Sequence, residues 1–114
     1  MKIRDISTVE LDLTFTEPSV NSDGSPLLDL AFSTIYLVTP DAKLKVLAIP
    51  ASGVTGGKVQ NAPVVVNAPA GQKTDLLFEV TSTDVAGNES LPDVAILITV
   101  DRIAPAAPLG FTVA

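Results

Sequence analysis

Apolar and polar residues alternate without a fault along Val9-Glu10-Leu11-Asp12-Leu13-Thr14-Phe15-Thr16, which is the period of a half-buried strand. Its apolar face is Val9, Leu11, Leu13 and Phe15. Pro18 ends the run, and Asn21-Ser22-Asp23-Gly24-Ser25-Pro26 supplies the glycine and Asx chemistry of a turn. A second strand is predicted over 33–38, with Ile35 and Leu37 on one face and Thr34, Tyr36 and Val38 on the other. Thr39-Pro40-Asp41-Ala42 then turns the chain into a hairpin partner over 43–49. Ser52, Gly53, Gly56 and Gly57 mark 50–58 as a loop. A short strand follows over 62–67, and Pro63 and Pro69 beside it indicate a sheet edge.

The stretch 75–84 alternates Leu76, Phe78 and Val80 against Asp75, Leu77, Glu79 and Thr81, and Ala86-Gly87-Asn88-Glu89-Ser90 forms its turn. The last strand, 94–100, places Val94, Ile96, Ile98 and Val100 on one face. Short strands at turn-separated intervals, with no helical period, predict an all-β, two-sheet antiparallel β-sandwich. Its central core is expected to be Phe15, Ile35, Leu37, Phe78, Val80 and Ile96, the inward phase of each strand. One domain fits a chain of 114 residues.

Composition narrows the chemistry. Only four Phe, one Tyr and one Met accompany an apolar fraction of 46%, so Val, Leu, Ile and Ala must fill the core, and the β-branched ones favour strands. The absence of Cys and His removes thiolate nucleophiles, disulfide staples, imidazole bases and the usual zinc ligands. Seven basic residues scattered against 13 acidic ones give a net charge of −6, which argues against nucleic-acid binding. Met1-Lys2-Ile3-Arg4-Asp5-Ile6 lacks the apolar core of a secretory signal, and the apolar run Val94 to Val100 is too short to cross a bilayer, so no membrane partner is expected.

Two stretches are more specific than the fold class. The run Leu13-Thr14-Phe15-Thr16-Glu17-Pro18, then Asp23-Gly24-Ser25-Pro26-Leu27-Leu28-Asp29-Leu30-Ala31 and Ile35-Tyr36, resembles the B-to-C region of bacterial and phage fibronectin type III domains. Phe78-Glu79-Val80-Thr81-Ser82-Thr83-Asp84-Val85-Ala86-Gly87-Asn88-Glu89-Ser90 resembles the F strand and F–G turn of that family. Phe15 stands where the family usually has a core Trp, Ser33 where strand C usually has Tyr, and Leu76 where strand F usually carries a corner Tyr. An immunoglobulin-like sandwich is the alternative fold. The resemblance implies an interaction and spacer scaffold and supplies no chemistry of its own.

Candidate sites are few. Asp84, Asn88 and Glu89 lie within one turn and offer oxygens to a calcium ion, but their spacing matches no calcium loop. In the family the same Asp and Gly-Asn pair builds the turn through hydrogen bonds to the backbone. Asn88-Glu89-Ser90 fits the N-glycosylation sequon, which matters only in a secretory context. Asp23, Asp29, Asp41 and Asp93 show no spacing that gathers them into a general acid and base. No catalytic residue, cofactor or metal is expected.

The outer face of the 33–38 and 43–49 hairpin carries Phe32, Tyr36, Val38, Leu47 and Ile49 if Ile35, Leu37, Leu44 and Val46 are in the core. An outer strand face should be polar. This one implies a partner, a covering tail, or a register shifted by one residue. Residues 1–103 read as the sandwich and 104–114 as a Pro-rich arm, in which Gly110-Phe111-Thr112-Val113 resembles the first half of strand A of a following repeat. On that resemblance Phe111 and Val113 compete for the slot of Met1 and Ile3. Leu109, Phe111 and Val113 are therefore candidate contacts, docking on another subunit or folding back on their own sheet.

The expected function is a non-catalytic assembly protein acting through protein partners, other copies of itself or other virion proteins, as a head decoration or tail component of a phage. The alternative is a spacer or binding module of a secreted bacterial adhesin or carbohydrate-active enzyme, located outside the cell or at its surface.

Overall fold

The computed structural model describes residues 1–110, 112 and 113. Seven strands are formed: β1 (Lys2–Ile3), β2 (Thr8–Thr16), β3 (Leu30–Val38), β4 (Lys43–Pro50), β5 (Val59–Asn67), β6 (Lys73–Asp84) and β7 (Ile96–Asp101). They make two antiparallel sheets, one of three strands in the order β1-β2-β5 and one of four in the order β4-β3-β6-β7. The two sheets pack face to face as a β-sandwich. No helix occurs among the described residues, so none is long and apolar enough to cross a membrane.

Strand alternation builds the core. Val9, Leu11 and Leu13 of β2 and Ala62, Val64 and Val66 of β5 are buried, while the residues between them along each strand face outward. From the other sheet come Ile35, Leu76, Phe78 and Val100, with Phe78 the largest fully buried side chain. Of the six residues expected at the centre, Ile35 and Phe78 are there, and Phe15, Leu37 and Val80 pack at its margin. Ile96 is not buried: it is 47% exposed although it pairs with Phe78. Its phase is inward, but it begins the edge strand β7, where no facing strand closes over it.

A second correction concerns β4. Its pairing with β3 runs Tyr36↔Lys45 and then Ile35↔Leu47, so one residue is inserted between them. A bulge of this kind flips the phase of everything beyond it. Leu47 and Ile49, expected on the outer face, therefore turn inward and pack against the core. Leu44, expected inside, is half exposed near the hairpin tip. Val46, at the inserted position, keeps its contact with the core. Prolines did mark an edge: β5 is the outer strand of its sheet, and its exposed Pro63 pairs with Asp12.

Two buried or turn-forming groups hold the loops. Glu17 continues the inward row of β2 and is 3% exposed. Its carboxylate accepts hydrogen bonds from the Ser52 N–H and hydroxyl, the Lys58 N–H and the Gln60 side-chain amide. The β4–β5 loop is thereby tied to the end of β2. Gly56 of the same loop has φ +58 and lies so close that an added Cβ would stand 2.1 Å from the Pro18 carbonyl oxygen, so only glycine fits. At the opposite end of β2, Asp5 accepts from the N–H groups of Ser7 and Thr8 and from their hydroxyls, which holds its carboxyl at about 2.

Candidate functional site

The outer face of the four-stranded sheet is less apolar than the sequence indicates, because the bulge removes Leu47 and Ile49 from it. Phe32, Tyr36 and Val38 of β3 remain, at positions paired with Thr83, Glu79 and Leu77 of β6. Phe32 is 36% exposed, and Tyr36 and Val38 are half-buried. Polar groups occupy the ground between them. The Tyr36 hydroxyl donates to Glu89 Oε2 at 2.6 Å, Thr81 donates to the same oxygen at 2.8 Å, and Lys43 pairs with Glu79 at 2.6 Å.

These contacts shift the groups in consistent directions. The Tyr36 hydrogen bond raises the phenol, since losing the proton would break its bond to a carboxylate. Tyr36 and Thr81 together hold Glu89 below the usual carboxylate range. Hydrogen bonding to Glu79 raises Lys43. The face is thus a small polar network carrying aromatic and aliphatic bodies.

The turn acids are committed to structure. Asp84 Oδ1 accepts from the Asn88 N–H at 2.8 Å and Oδ2 from the Asn88 side-chain amide at 3.0 Å, and Gly87 turns the chain with φ +92. The Asn88 hydrogen bonds hold Asp84 below its ordinary range. Glu89 points to Tyr36 and Thr81 instead, so the three turn residues do not converge on one point. Asp23 closes its own turn on Ser25, and among the described residues no group of three or more acids could hold a metal ion.

The sharper feature is an edge that the pattern of β2 did not announce. On one side β2 is hydrogen-bonded to β5 along its whole length, from Thr8↔Asn67 to Thr16↔Val59. On the other side β1 covers only Glu10 and Val9. Among the described residues, no main-chain hydrogen bond reaches the outer side of Leu11–Thr16. Below that edge lies a cleft of about 380 Å³ between the two sheets, lined by Phe15, Val80, Leu91 and Pro92 among others.

The C-terminal arm leaves from the far end of β2. Arg102, just after β7, donates through its guanidinium to the Ala68 carbonyl at 2.7 Å and the Asp5 carbonyl at 2.8 Å, clamping the two sheets together there. Beyond it, Leu109 is 95% and Val113 98% exposed. The candidate contact Phe111 lies outside the described residues. Set against known proteins, the chain matches no protein family, no curated protein and no solved structure.

Proposed function

We propose that this chain is a non-catalytic assembly protein, built on a fibronectin type III-like sandwich and acting through contacts with further protein subunits. The observation that carries the reading is the arm: a Pro-rich segment whose apolar Leu109 and Val113 are almost wholly exposed. Apolar side chains carried on an extended segment are available to a partner's sheet edge. Asp23, Asp84 and Glu89 line one cleft of about 430 Å³ together with Asp29. The first three are engaged by Ser25, by Asn88, and by Tyr36 and Thr81 rather than paired with one another, which favours a structural role for them. The strand order favours the fibronectin type III reading over an immunoglobulin constant-type one. Here the fourth strand, β4, joins β3, β6 and β7, whereas constant-type domains place theirs in the other sheet.

A phage virion component, a head decoration or tail protein, is the specific form of this proposal. Sedimentation velocity of the full chain over a range of concentrations tests it. Concentration-dependent self-association that disappears when residues 105–114 are deleted supports the reading. A monomer at every concentration contradicts it.

A further inference from the structure

We propose that the open edge of β2, Leu11–Thr16, is the acceptor for the C-terminal strand segment 110–114 of a second copy, which completes the three-stranded sheet from outside. This rests on the assembly reading above and names the surfaces it uses. The first argument is register. β1 runs antiparallel to β2 with Ile3 opposite Val9 and Lys2 opposite Glu10, so Met1 falls opposite Leu11. Continuing that row along β2 leaves Asp12 to Thr16 for an incoming antiparallel strand that stops at Met1.

Laid there, Ala114 meets Asp12, Val113 meets Leu13, Thr112 meets Thr14, and Phe111 meets Phe15. Opposed residues share a face of the sheet. Val113 and Phe111 thus fall on the inward face with Leu13 and Phe15, and Thr112 falls outside with Thr14. A slip by one residue would turn both apolar side chains to solvent, so the pattern selects the register. Phe111 and Val113 extend the row of Met1 and Ile3 and do not compete with it.

The second argument is what lies beneath. A ring placed beside Phe15 enters the cleft toward Leu91 and Pro92. The same side of the sandwich carries the inward-phase Ile96 at 47% exposure and Leu91 at 90%. β5 lies against β4 at the opposite side, so the β1 edge is the one that stands over β7. An added strand there covers apolar groups that the chain leaves open.

The third argument is reach. Arg102 anchors the root of the arm beside Asp5, whose N–H bonds to the Thr8 carbonyl. From Thr8 to Thr16 is eight residue steps, about 27 Å at roughly 3.3 Å each. An antiparallel segment must enter at Thr16, and the eight steps from Arg102 to Gly110 span about 25–28 Å only when fully extended. That length leaves no residues for the chain to reverse and pair on its own sheet, and Leu109 and Val113 stand almost wholly exposed, whereas a neighbouring copy presents the edge directly. Main-chain pairing of an extended segment to a sheet edge is a general mode of recognition.

The sequence contains no cysteine, so introduced ones report cleanly. Thr14→Cys in one population and Thr112→Cys in another are mixed and oxidised, with Asp41→Cys replacing Thr14→Cys as the control. Thr14, Thr112 and Asp41 are all exposed, and the circular dichroism of each variant confirms its fold. A disulfide-linked dimer of the first pair, and none with the control, is the expected result. Phe111→Asp should weaken self-association roughly tenfold or more, the loss from one buried apolar side chain. Self-association that persists without the Thr14–Thr112 cross-link overturns this docking and leaves the assembly reading standing. Absence of self-association overturns both. A Thr14→Cys/Thr112→Cys double variant that cross-links within a monomer shows the segment on its own sheet and also overturns the proposal.

Discussion

The two edges of β2 are the same residues seen from opposite sides, and they have different fates. Toward β5 the strand is paired over nine positions, and the inward residues along that side, Ala62, Val64 and Val66, are at most 5% exposed. Toward β1 only two positions are paired, and the apolar groups nearby are more open: Phe15 is partly buried, Ile96 is 47% exposed and Leu91 90%. Alternation decides which way a side chain points. Whether it is then buried depends on having a strand overhead.

Phe78 and Ile96 are directly opposed in β6 and β7, which makes them a controlled pair. Phe78→Ala should cost about 3–5 kcal/mol in chemical denaturation of the monomer, as large core truncations do. Ile96→Ala should cost less than about 1 kcal/mol in the same dilute monomer, because much of its surface is already in water. Equal losses would show that the β7 side is closed in the monomer and would erase the comparison.

Next in size is the buried carboxylate that ties β4 and β5 to the end of β2. Glu17→Ala leaves several hydrogen-bond donors without their acceptor and should cost on the order of 3 kcal/mol, read as a shift in the denaturation midpoint. Burial alone would push the Glu17 carboxyl up. The hydrogen bonds from Ser52, Gln60 and Lys58 outweigh it and hold the group below its usual range. A lowered folded-state value means that the carboxylate's stabilisation is fully present above the unfolded value, near 4.5, and is lost as pH falls through the folded one. Glu17→Gln should flatten that part of the acid-unfolding profile. An unchanged profile would assign acid sensitivity to other carboxylates.

Smaller still is the outer-face network. Tyr36→Phe removes the hydrogen bond to Glu89 and should cost about 0.5–1.5 kcal/mol while leaving self-association through the β2 edge intact. A loss of association in this variant would move the contact from the edge to the outer face. Deleting residues 105–114 is expected to have the least effect on the monomer, with its melting temperature unchanged and self-association gone. A destabilised monomer would mean that the arm serves its own sheet.

Much of this fold is written in the period of the apolar residues. The strict alternation of Val9 to Phe15 and of Leu76 to Val80 puts β2 and β6 in the right phase, and Gly87 and Asn88 form the turn that their chemistry indicates. The bulge opposite Ile35 is not legible, because neither Lys45 nor Val46 carries a glycine-like signal, and a single inserted residue reverses Leu47 and Ile49. The exposure of Ile96 is also hidden, since period tells the face and not what covers it. Glu17 left a clue. It sits on the inward phase after Phe15, and a carboxylate there must find donors.

The central claim is that Leu11–Thr16 is an open edge in the single chain and a closed one in the assembly. Amide hydrogen exchange on the full chain, followed residue by residue at low and high protein concentration, reads that edge directly. The N–H groups of Leu11–Thr16 that point away from β5 should exchange fast in dilute solution and become protected on concentration, with those toward β5 protected throughout. Outward amides that are equally protected in the dilute monomer, or equally unprotected in the associated state, would contradict the account.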